Sequence, residues 1–124
     1  MRRLVDEWES GANRFDGPGE ALFGARVERI LVGVGGLTVD PYAASDRDGR
    51  VRHLYVRAPY RRQGIGGRLV EAIVDAARGR FDRLRLRTTN PEAARLYERL
   101  GFRRRTDVAE CTHVMELTPI TQDR

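Results

Sequence analysis

The segment from Val51 to Thr88 constrains the fold more than any other part of the sequence, because a strand pattern and a helix pattern follow each other there on either side of one turn. Val51–Arg57 is predicted to form a strand, and the apolar residues from Ile65 to about Arg78 recur at the spacing of an amphipathic helix. In Phe81–Thr88 leucines alternate with arginines, which predicts a strand with one buried face. A strand, a helix and a second strand in one sheet require a right-handed crossover, so we expect at least one parallel strand pair.

The residues before this unit predict a short helix and then a hairpin. Met1 to roughly Ala12 is predicted to be helical, because Leu4, Val5 and Trp8 fall on one helical face. A turn at Glu28-Arg29 separates two apolar strands, and a polar loop follows them; in order, these three segments are Glu20–Val27, Ile30–Val39 and Asp40–Arg50.

The residues after the unit predict a second helix and a final hairpin. Asn90 and Pro91 suit a helix start, with the asparagine as cap and the proline in the first turn. The helix is expected to run to Leu100, with Gly101 just past its end. Two terminal strands follow, Phe102–Thr106 and Thr112–Leu117. With hairpins at both ends, the fold class is an α/β domain with a mixed sheet, and we expect one domain over residues 1–124.

The composition narrows the classes of partner. All 23 basic residues are arginine and the net charge is +5; arginine binds phosphate with two parallel N–H groups, although a solvated surface explains the arginines equally well. Acidic residues are interspersed with them, so no nucleic-acid partner is expected.

No apolar run approaches the ~18–20 residues that span a bilayer. Cys111 is the only cysteine, which excludes an intrachain disulfide and paired-cysteine metal sites. We expect a cytoplasmic protein without a metal.

The turn Arg61-Arg62-Gln63-Gly64-Ile65-Gly66-Gly67 lies between the predicted strand and the predicted helix. The first N–H groups of a helix lack internal partners, and the helix dipole adds positive charge at that end. Glycines let an anion approach the backbone, so the turn predicts a phosphate site. A Walker loop is excluded because the chain has no lysine, and the dinucleotide fingerprint fails because Leu69 stands at its third glycine.

Arg61, Gly64 and Gly66 instead match the Arg/Gln-x-x-Gly-x-Gly/Ala turn, and Leu54-Tyr55-Val56 precedes it. The downstream run Asn90-Pro91-Glu92-Ala93-Ala94-Arg95-Leu96-Tyr97-Glu98-Arg99-Leu100-Gly101-Phe102 adds a second motif at the right spacing. From about Val27 to Leu117 the chain thus resembles the GNAT superfamily of N-acetyltransferases. That resemblance implies a mixed, mostly antiparallel sheet with one splayed parallel pair, acetyl-coenzyme A as acyl donor and an amine as acceptor.

The resemblance also implies residues for the donor. Strand residues before the turn would offer backbone groups to the pantetheine arm, and the N–H groups of the turn would hold the pyrophosphate. Arg61 and Arg62 either add charge near the phosphates or form a solvated rim, and Asn90 either contacts the cofactor arm, caps its helix, or does both. The implied cofactor-binding residues are Leu54, Tyr55, Val56, Arg61, Arg62, Gln63, Gly64, Ile65, Gly66, Gly67, Arg68 and Asn90.

For the chemistry, the resemblance assigns Tyr97 as the general acid that protonates the leaving thiolate; the alternative is an aromatic residue of the core. The base is open. Many relatives carry a glutamate where this chain has Arg50 and Val51. His53 is a candidate base by its ordinary pKa, and it would share a strand face with Val51 and Tyr55. Glu20, Asp40 and an ordered water are further alternatives. Cys111 and His113 are not expected to bind metal, and Cys111 is interpreted as a small buried hydrophobe.

The chain is also expected to depart from the family at its N-terminus, where relatives carry a strand and a helix ahead of the segment present here. A homodimer that covers the exposed sheet edge is one hypothesis for this shortened form. Three functions therefore compete: an N-acetyltransferase acting on a primary amine of a small molecule or protein, a non-catalytic acyl-CoA-binding regulatory module, and a nucleic-acid-binding domain.

Overall fold

The computed structural model describes residues 3–8 and 20–117. Seven strands and two α-helices follow one another in the described chain, with a 3₁₀ turn at Ala58–Tyr60. In chain order the elements are β1 (Arg3–Trp8), β2 (Ala21–Val27), β3 (Ile30–Val39), β4 (Asp48–Val56), α1 (Ile65–Ala77), β5 (Arg83–Leu86), α2 (Pro91–Arg99), β6 (Arg103–Arg104) and β7 (His113–Glu116).

The strands form one sheet in the order β1-β2-β3-β4-β5-β7-β6. Strands β4 and β5, which flank α1, run parallel, and every other neighbouring pair is antiparallel. This confirms the predicted mixed, mostly antiparallel sheet. The parallel pair follows from the crossover through α1, and the antiparallel pairs follow from the hairpins on either side of it.

The predicted helix over Met1–Ala12 is wrong within the described residues, because Arg3–Trp8 forms strand β1. All six of its residues pair with β2, in a register from Arg3 opposite Val27 to Trp8 opposite Leu22. The apolar spacing fits a helix, but the sheet edge offers a ladder of backbone hydrogen bonds, and such tertiary pairing overrides a weak local preference. The remainder of that predicted helix lies outside the described residues.

The predicted hairpin between β2 and β3 is confirmed. Its two turn residues, Glu28 and Arg29, have φ values of 52° and 76°. Positive φ at both central residues is the conformation that matches the twist of two antiparallel strands. Strand β4 starts at Asp48, before the expected Val51, because Asp48–Arg50 pairs in parallel with β5.

Helix α1 packs close against the sheet because glycines line its path. A Cβ at Gly33 would lie 3.1 Å from Leu69 Cδ1, and a Cβ at Gly35 would lie 3.0 Å from Ile73 Cδ1. Glycines inside a strand often mark such a close approach. Leu69 and Ile73 are fully buried, and this contact of α1 with the sheet forms the centre of the core. None of the helices in the described residues is both long and apolar enough to cross a membrane.

Candidate functional site

A cavity of about 510 Å³ lies between the C-terminal half of β4, the turn that follows it and helix α2. One wall is the end of the strand and the glycine turn, and the other wall is the face of α2 that carries its arginines. The lining residues are Leu54, Tyr55, Val56, Tyr60, Arg61, Arg62, Gly64, Gly66, Gly67, Asn90, Glu92, Ala93, Arg95, Leu96 and Arg99.

A β-bulge shapes the strand wall of this cavity. Opposite the single residue Gly35 of β3, strand β4 carries two residues, His53 and Leu54. His53 adopts φ 59°, in the left-handed region. A bulge bends its strand and increases the local twist, so the end of β4 turns away from its neighbour.

The bulge also corrects one prediction. Val51 is buried in the core before the bulge, and Leu54 packs against the same core after it. The extra residue has shifted the alternation by one position, so Tyr55 is 53% exposed. The prediction that Val51, His53 and Tyr55 share one strand face is therefore wrong, because alternation with period two fails across a bulge.

Strands β4 and β5 separate immediately before the bulge. Their parallel pairing covers only Asp48–Arg50 against Arg83–Arg85. Beyond Arg50 the strand continues to Val56 without pairing to β5. Backbone groups of this part of β4 therefore face a gap, which opens toward the cavity.

The turn supplies a helix N-terminus to the cavity. Gly64 precedes α1 with φ 85°, a conformation that other residues adopt only with strain. The first turn of α1 has no side-chain cap and no acidic residue. A Cβ at Gly66 would lie 3.3 Å from Leu96 Cδ2, so a glycine here lets α2 approach the start of α1. The start of α1 therefore faces α2 across the cavity, and a helix start without a cap or an acid favours an anion.

The two arginines of the turn hold its shape in different ways. Arg61 donates from Nε to the carbonyl of Val56 at 2.7 Å, and its guanidinium lies 5.4 Å from the centre of the Tyr55 ring. Arg62, at φ 64°, donates to Glu92 at 2.9 Å. Arg61 therefore clamps the end of β4, whereas Arg62 reaches from the turn to α2 across the cavity.

Two further cavity arginines were not anticipated from the sequence. Arg95 and Arg99 are exposed on α2 and lie one helical turn apart. Among the described residues neither forms an ion pair with a carboxylate. Their spacing on either side of Leu96 is the sequence pattern that could have indicated their place in the cavity, because Leu96 packs against Gly66 of the turn.

Asn90 caps α2, as predicted. Its Oδ1 accepts from the N–H of Glu92 at 2.8 Å and from that of Ala93 at 3.4 Å. Its own N–H donates to Thr88 Oγ1 at 3.1 Å. Because these bonds use the amide oxygen, the side-chain NH₂ of Asn90 is the group left to serve the cavity that it lines.

Tyr97 does not line the cavity. It lies on the buried face of α2, is 5% exposed, and packs edge-to-face on Phe102 with ring centres 5.5 Å apart. Burial raises the pKa of Tyr97 to about 12, so the phenol is protonated throughout the neutral range. The ring of His113 lies 6.3 Å away.

A family model described as "Acetyltransferase (GNAT) family" matches residues 2–102. The chain belongs to this family. Over 108 residues it is 36% identical to the N-alpha-acetyltransferase RimI of Mycobacterium tuberculosis, and the match covers 80% of this chain and 63% of that relative's length.

Solved structures show the same GNAT fold. A protein from Exiguobacterium sp. 255-15 superposes with a TM-score of 0.81 at 24% identity, covering 94% of each chain. The ribosomal-protein-S18-alanine N-acetyltransferase of Escherichia coli gives 0.73 at 17% identity over 99% of each chain. A GNAT acetyltransferase from Elizabethkingia anophelis, solved with acetyl-CoA bound, gives 0.68 at 18% identity, covering 93% of this chain and 98% of its own.

In this GNAT protein the cavity brings together most of the predicted donor residues. Nine of the twelve line it: Leu54, Tyr55, Val56, Arg61, Arg62, Gly64, Gly66, Gly67 and Asn90. The other three do not: Gln63, Ile65 and Arg68. Ile65 is 2% exposed and belongs to the core cluster under α1, so only its backbone can serve a ligand.

The acids suggested as bases serve structural roles. Glu20 Oε2 accepts from the N–H of Val39 at 2.9 Å. Asp40 is 2% exposed and lies between Arg50, at 3.5 Å, and Arg85, at 3.3 Å. A buried carboxylate between two guanidiniums is inaccessible to an amine. His53 is exposed but is not part of the cavity lining.

Cys111 and His113 are buried, as expected for Cys111. His113 Nε2 lies 2.8 Å from Glu98 Oε2, and its Nδ1 lies 2.9 Å from Thr112 Oγ1. An ionised Glu98 accepts a hydrogen bond from the Nε2–H group, which leaves Nδ1 to accept a hydrogen bond from the hydroxyl of Thr112. Within residues 3–8 and 20–117, no group of three His, Cys, Asp or Glu residues is placed to hold a metal ion.

Proposed function

We propose that this protein is an acetyl-CoA-dependent N-acetyltransferase that moves an acetyl group to a primary amine of a small molecule or a protein. The observation that carries this proposal is the gap between β4 and β5, which opens onto an uncapped helix start. A gap beside free strand backbone accepts an extended amide-bearing arm, and the helix start accepts its phosphates. Family membership supports the same donor.

The residues present fit coenzyme A. The N–H groups from Gln63 to Arg68 would bind the pyrophosphate, and the backbone of Leu54, Tyr55 and Val56 would bind the pantetheine arm. A cavity of about 510 Å³ is within the range of small-molecule sites. When bound, acetyl-CoA supplies the thioester carbonyl carbon on which the amine acts.

The arginines of the cavity would bind different phosphate groups of coenzyme A. Arg62 is already beside the turn, and binding of a phosphate there competes with Glu92 for its guanidinium. Arg95 and Arg99 flank Leu96 on the wall that faces the helix start. We assign them to the 3′-phosphate of coenzyme A, since an arginine without a carboxylate partner is ready to bind a dianion.

Tyr97 as the general acid stays a prediction of the family resemblance. Its raised pKa keeps a proton on the phenol, which is the state an acid needs at the start of the reaction. Its location in the core behind the cavity wall also fits a packing role. A Tyr97→Phe variant separates the two roles because it retains the ring.

For the acceptor, we propose a protein α-amino group as the first class to test. The RimI relative is named as an N-alpha-acetyltransferase. An α-amine has an ordinary pKa of ~7.7–8.0, so a large fraction is neutral at mildly alkaline pH, and a strong base on the enzyme is not required. The predicted homodimer and His53 as the base remain further proposals.

A non-catalytic acyl-CoA-binding module is the second candidate. The observation that favours it is the buried Arg50 at the position where many relatives carry a glutamate. Thiol release from acetyl-CoA, measured with a panel of small amines and short peptides, tests the two functions. Turnover on any amine supports the transferase. Saturable acetyl-CoA binding without turnover on the whole panel supports the module and overturns the transferase.

A further inference from the structure

The loop between β6 and β7 places one carboxylate at the point where β4 and β5 separate. Arg50 and Arg85, the last paired residues of the two strands, both lie beside Asp40. They therefore share the face of the sheet opposite the core cluster, to which Val51 and Leu84 belong. In the proposed binding mode the pantetheine arm ends in this gap, so an acceptor on this face would lie beside the thioester.

Glu110 contacts Arg50 of β4 and Arg87, the residue that follows β5. Its carbonyl accepts from Arg50 Nη1 at 2.9 Å, and its Oε1 lies 3.6 Å from Arg87 Nη1. The residue has φ 58°, a conformation that costs a non-glycine residue free energy and that persists only where the surroundings impose it.

The loop around Glu110 is held at its other contacts as well. The N–H of Thr112 donates to the carbonyl of Leu86 at 2.8 Å, and the N–H of Arg105 donates to the carbonyl of Thr112 at 2.7 Å. The first bond fixes the loop to β5 two residues beyond Glu110, and the second joins the two ends of the loop. The backbone of Glu110 is thus positioned by the sheet.

The Glu110 side chain is also available. It is 46% exposed, and its partner Arg87 is 54% exposed. Exposed ion pairs at this distance contribute little free energy, so a cationic ligand can compete for the carboxylate. Asp107 is the other acid of the same loop. Its carboxylate, unlike that of Glu110, accepts two hydrogen bonds from Arg105, at 2.9 and 3.0 Å.

We propose that Glu110 receives the ammonium group of the acceptor at the base of the gap and accepts its proton. This inference rests on the proposed transferase function. The ammonium loses one proton to the Glu110 carboxylate, and the amine nitrogen then forms a bond to the thioester carbon. The carbon–sulfur bond breaks, the nitrogen loses its second proton, and the departing thiolate takes up one proton, so that coenzyme A leaves as the thiol. Glu110 returns its proton to solvent.

The first test is a binding measurement that does not depend on turnover. It compares S-ethyl-coenzyme A with S-(2-aminoethyl)-coenzyme A, which places an ammonium just past the sulfur, by titration calorimetry. We expect the amino analogue to bind the unmodified protein ~10-fold more tightly, as for a hydrogen bond between charged groups, and Glu110→Gln to remove that preference. Asp107→Asn, in the same loop, is the matched control and should keep it.

The outcomes separate the assignment of Glu110 from the proposed coenzyme site. Equal affinity for the two analogues in the unmodified protein, or a preference that survives Glu110→Gln, overturns the assignment of Glu110 while leaving the coenzyme site intact. Failure of both analogues to bind overturns the proposed function, and the Glu110 assignment with it. Unchanged affinity of Glu110→Gln for S-ethyl-coenzyme A shows that the variant is folded.

The second test is kinetic. With an amine that is turned over, Glu110→Gln should lower kcat/KM for the amine by ~10²-fold and leave the KM for acetyl-CoA unchanged. Glu110→Asp should recover part of the loss, because it keeps the carboxylate. A kcat/KM for the amine that is the same in Glu110→Gln and in the unmodified protein overturns the proposal.

Discussion

The guanidinium of Arg62 lies 2.9 Å from the carboxylate of Glu92 and joins the glycine turn to the first turn of α2 across the cavity. Both side chains are largely exposed, at 84% and 62%. The pair therefore contributes little to stability, but it occupies an arginine of the turn that precedes α1. In the proposed binding mode, a phosphate at the helix start competes with Glu92 for Arg62.

This relationship predicts opposite effects for its two members. Glu92→Gln should strengthen the binding of coenzyme A several-fold, because it frees Arg62, whereas Arg62→Gln should weaken it by about tenfold, as for loss of one charged hydrogen bond. Titration calorimetry measures both. Unfolding free energies of the two variants should stay within about 0.5 kcal/mol of the unmodified protein. A weaker affinity in both variants would contradict the competition.

Arg95 and Arg99 are predicted to bind the 3′-phosphate of coenzyme A. Replacing both with glutamine should reduce the affinity for coenzyme A by ~10-fold or more, since charge-assisted bonds are lost. The affinity for dephospho-coenzyme A, which lacks that phosphate, should change little. Arg103→Gln, on the exposed edge strand β6, is the control. Equal losses for the two ligands would place these arginines elsewhere than on the 3′-phosphate.

Tyr97→Phe is predicted to lower kcat by ~10²-fold, the usual contribution of a general acid, with the acetyl-CoA dissociation constant unchanged. The phenylalanine keeps the contact with Phe102, so the variant should remain folded. Thiol release under saturating acetyl-CoA measures the effect, and Tyr42→Phe, at an exposed tyrosine in the β3–β4 loop, serves as the control. Unchanged turnover would assign Tyr97 to the core alone.

Glu98 predicts a pH dependence of stability. The hydrogen bond from His113, reinforced by the nearby positive charge of Arg104, holds the pKa of Glu98 below its ordinary value. A depressed pKa stabilises the folded state above the unfolded value of about 4.3, and that stabilisation is lost as the pH falls through the lower, folded-state pKa.

Glu98→Gln should therefore melt at a lower temperature than the unmodified protein at pH 6 to 7, and the difference should shrink below about pH 4. Thermal unfolding followed by circular dichroism across this range measures it. Glu71→Gln, at an exposed position on the outer face of α1, is the control. A difference that stays constant down to pH 3 would show that the charge of Glu98 is not the cause.

Local signals predicted the two helices because each has its own start and stop. Ile65–Ala77 and Pro91–Arg99 lie within one residue of the predicted bounds. Gly79 and Gly101, just past them, have φ values of 82° and 109°. Capping and left-handed ends depend on the nearest few residues, so they can be inferred from the sequence alone.

The glycine turn and the asparagine-to-phenylalanine motif likewise predicted the family and most of the donor cavity. The N-terminal strand could not be predicted in this way. The spacing of Leu4, Val5 and Trp8 suits a helix, and only the free edge of β2 makes the segment a strand. Pairing between segments that are distant in the chain leaves no local period to detect.

The sequence by itself therefore determined the glycine turn, the bounds of the two helices and the family, since these depend on residues that are neighbours along the chain. Only the tertiary structure decided the bulge at His53, the residue at which β4 separates from β5 and the place of Glu110. Glu110 is 60 residues from its partner Arg50, and such a contact exists only after the sheet has brought both strands and the β6–β7 loop together. The proposed donor site thus depends on local motifs, whereas the proposed acceptor site depends on the assembled sheet.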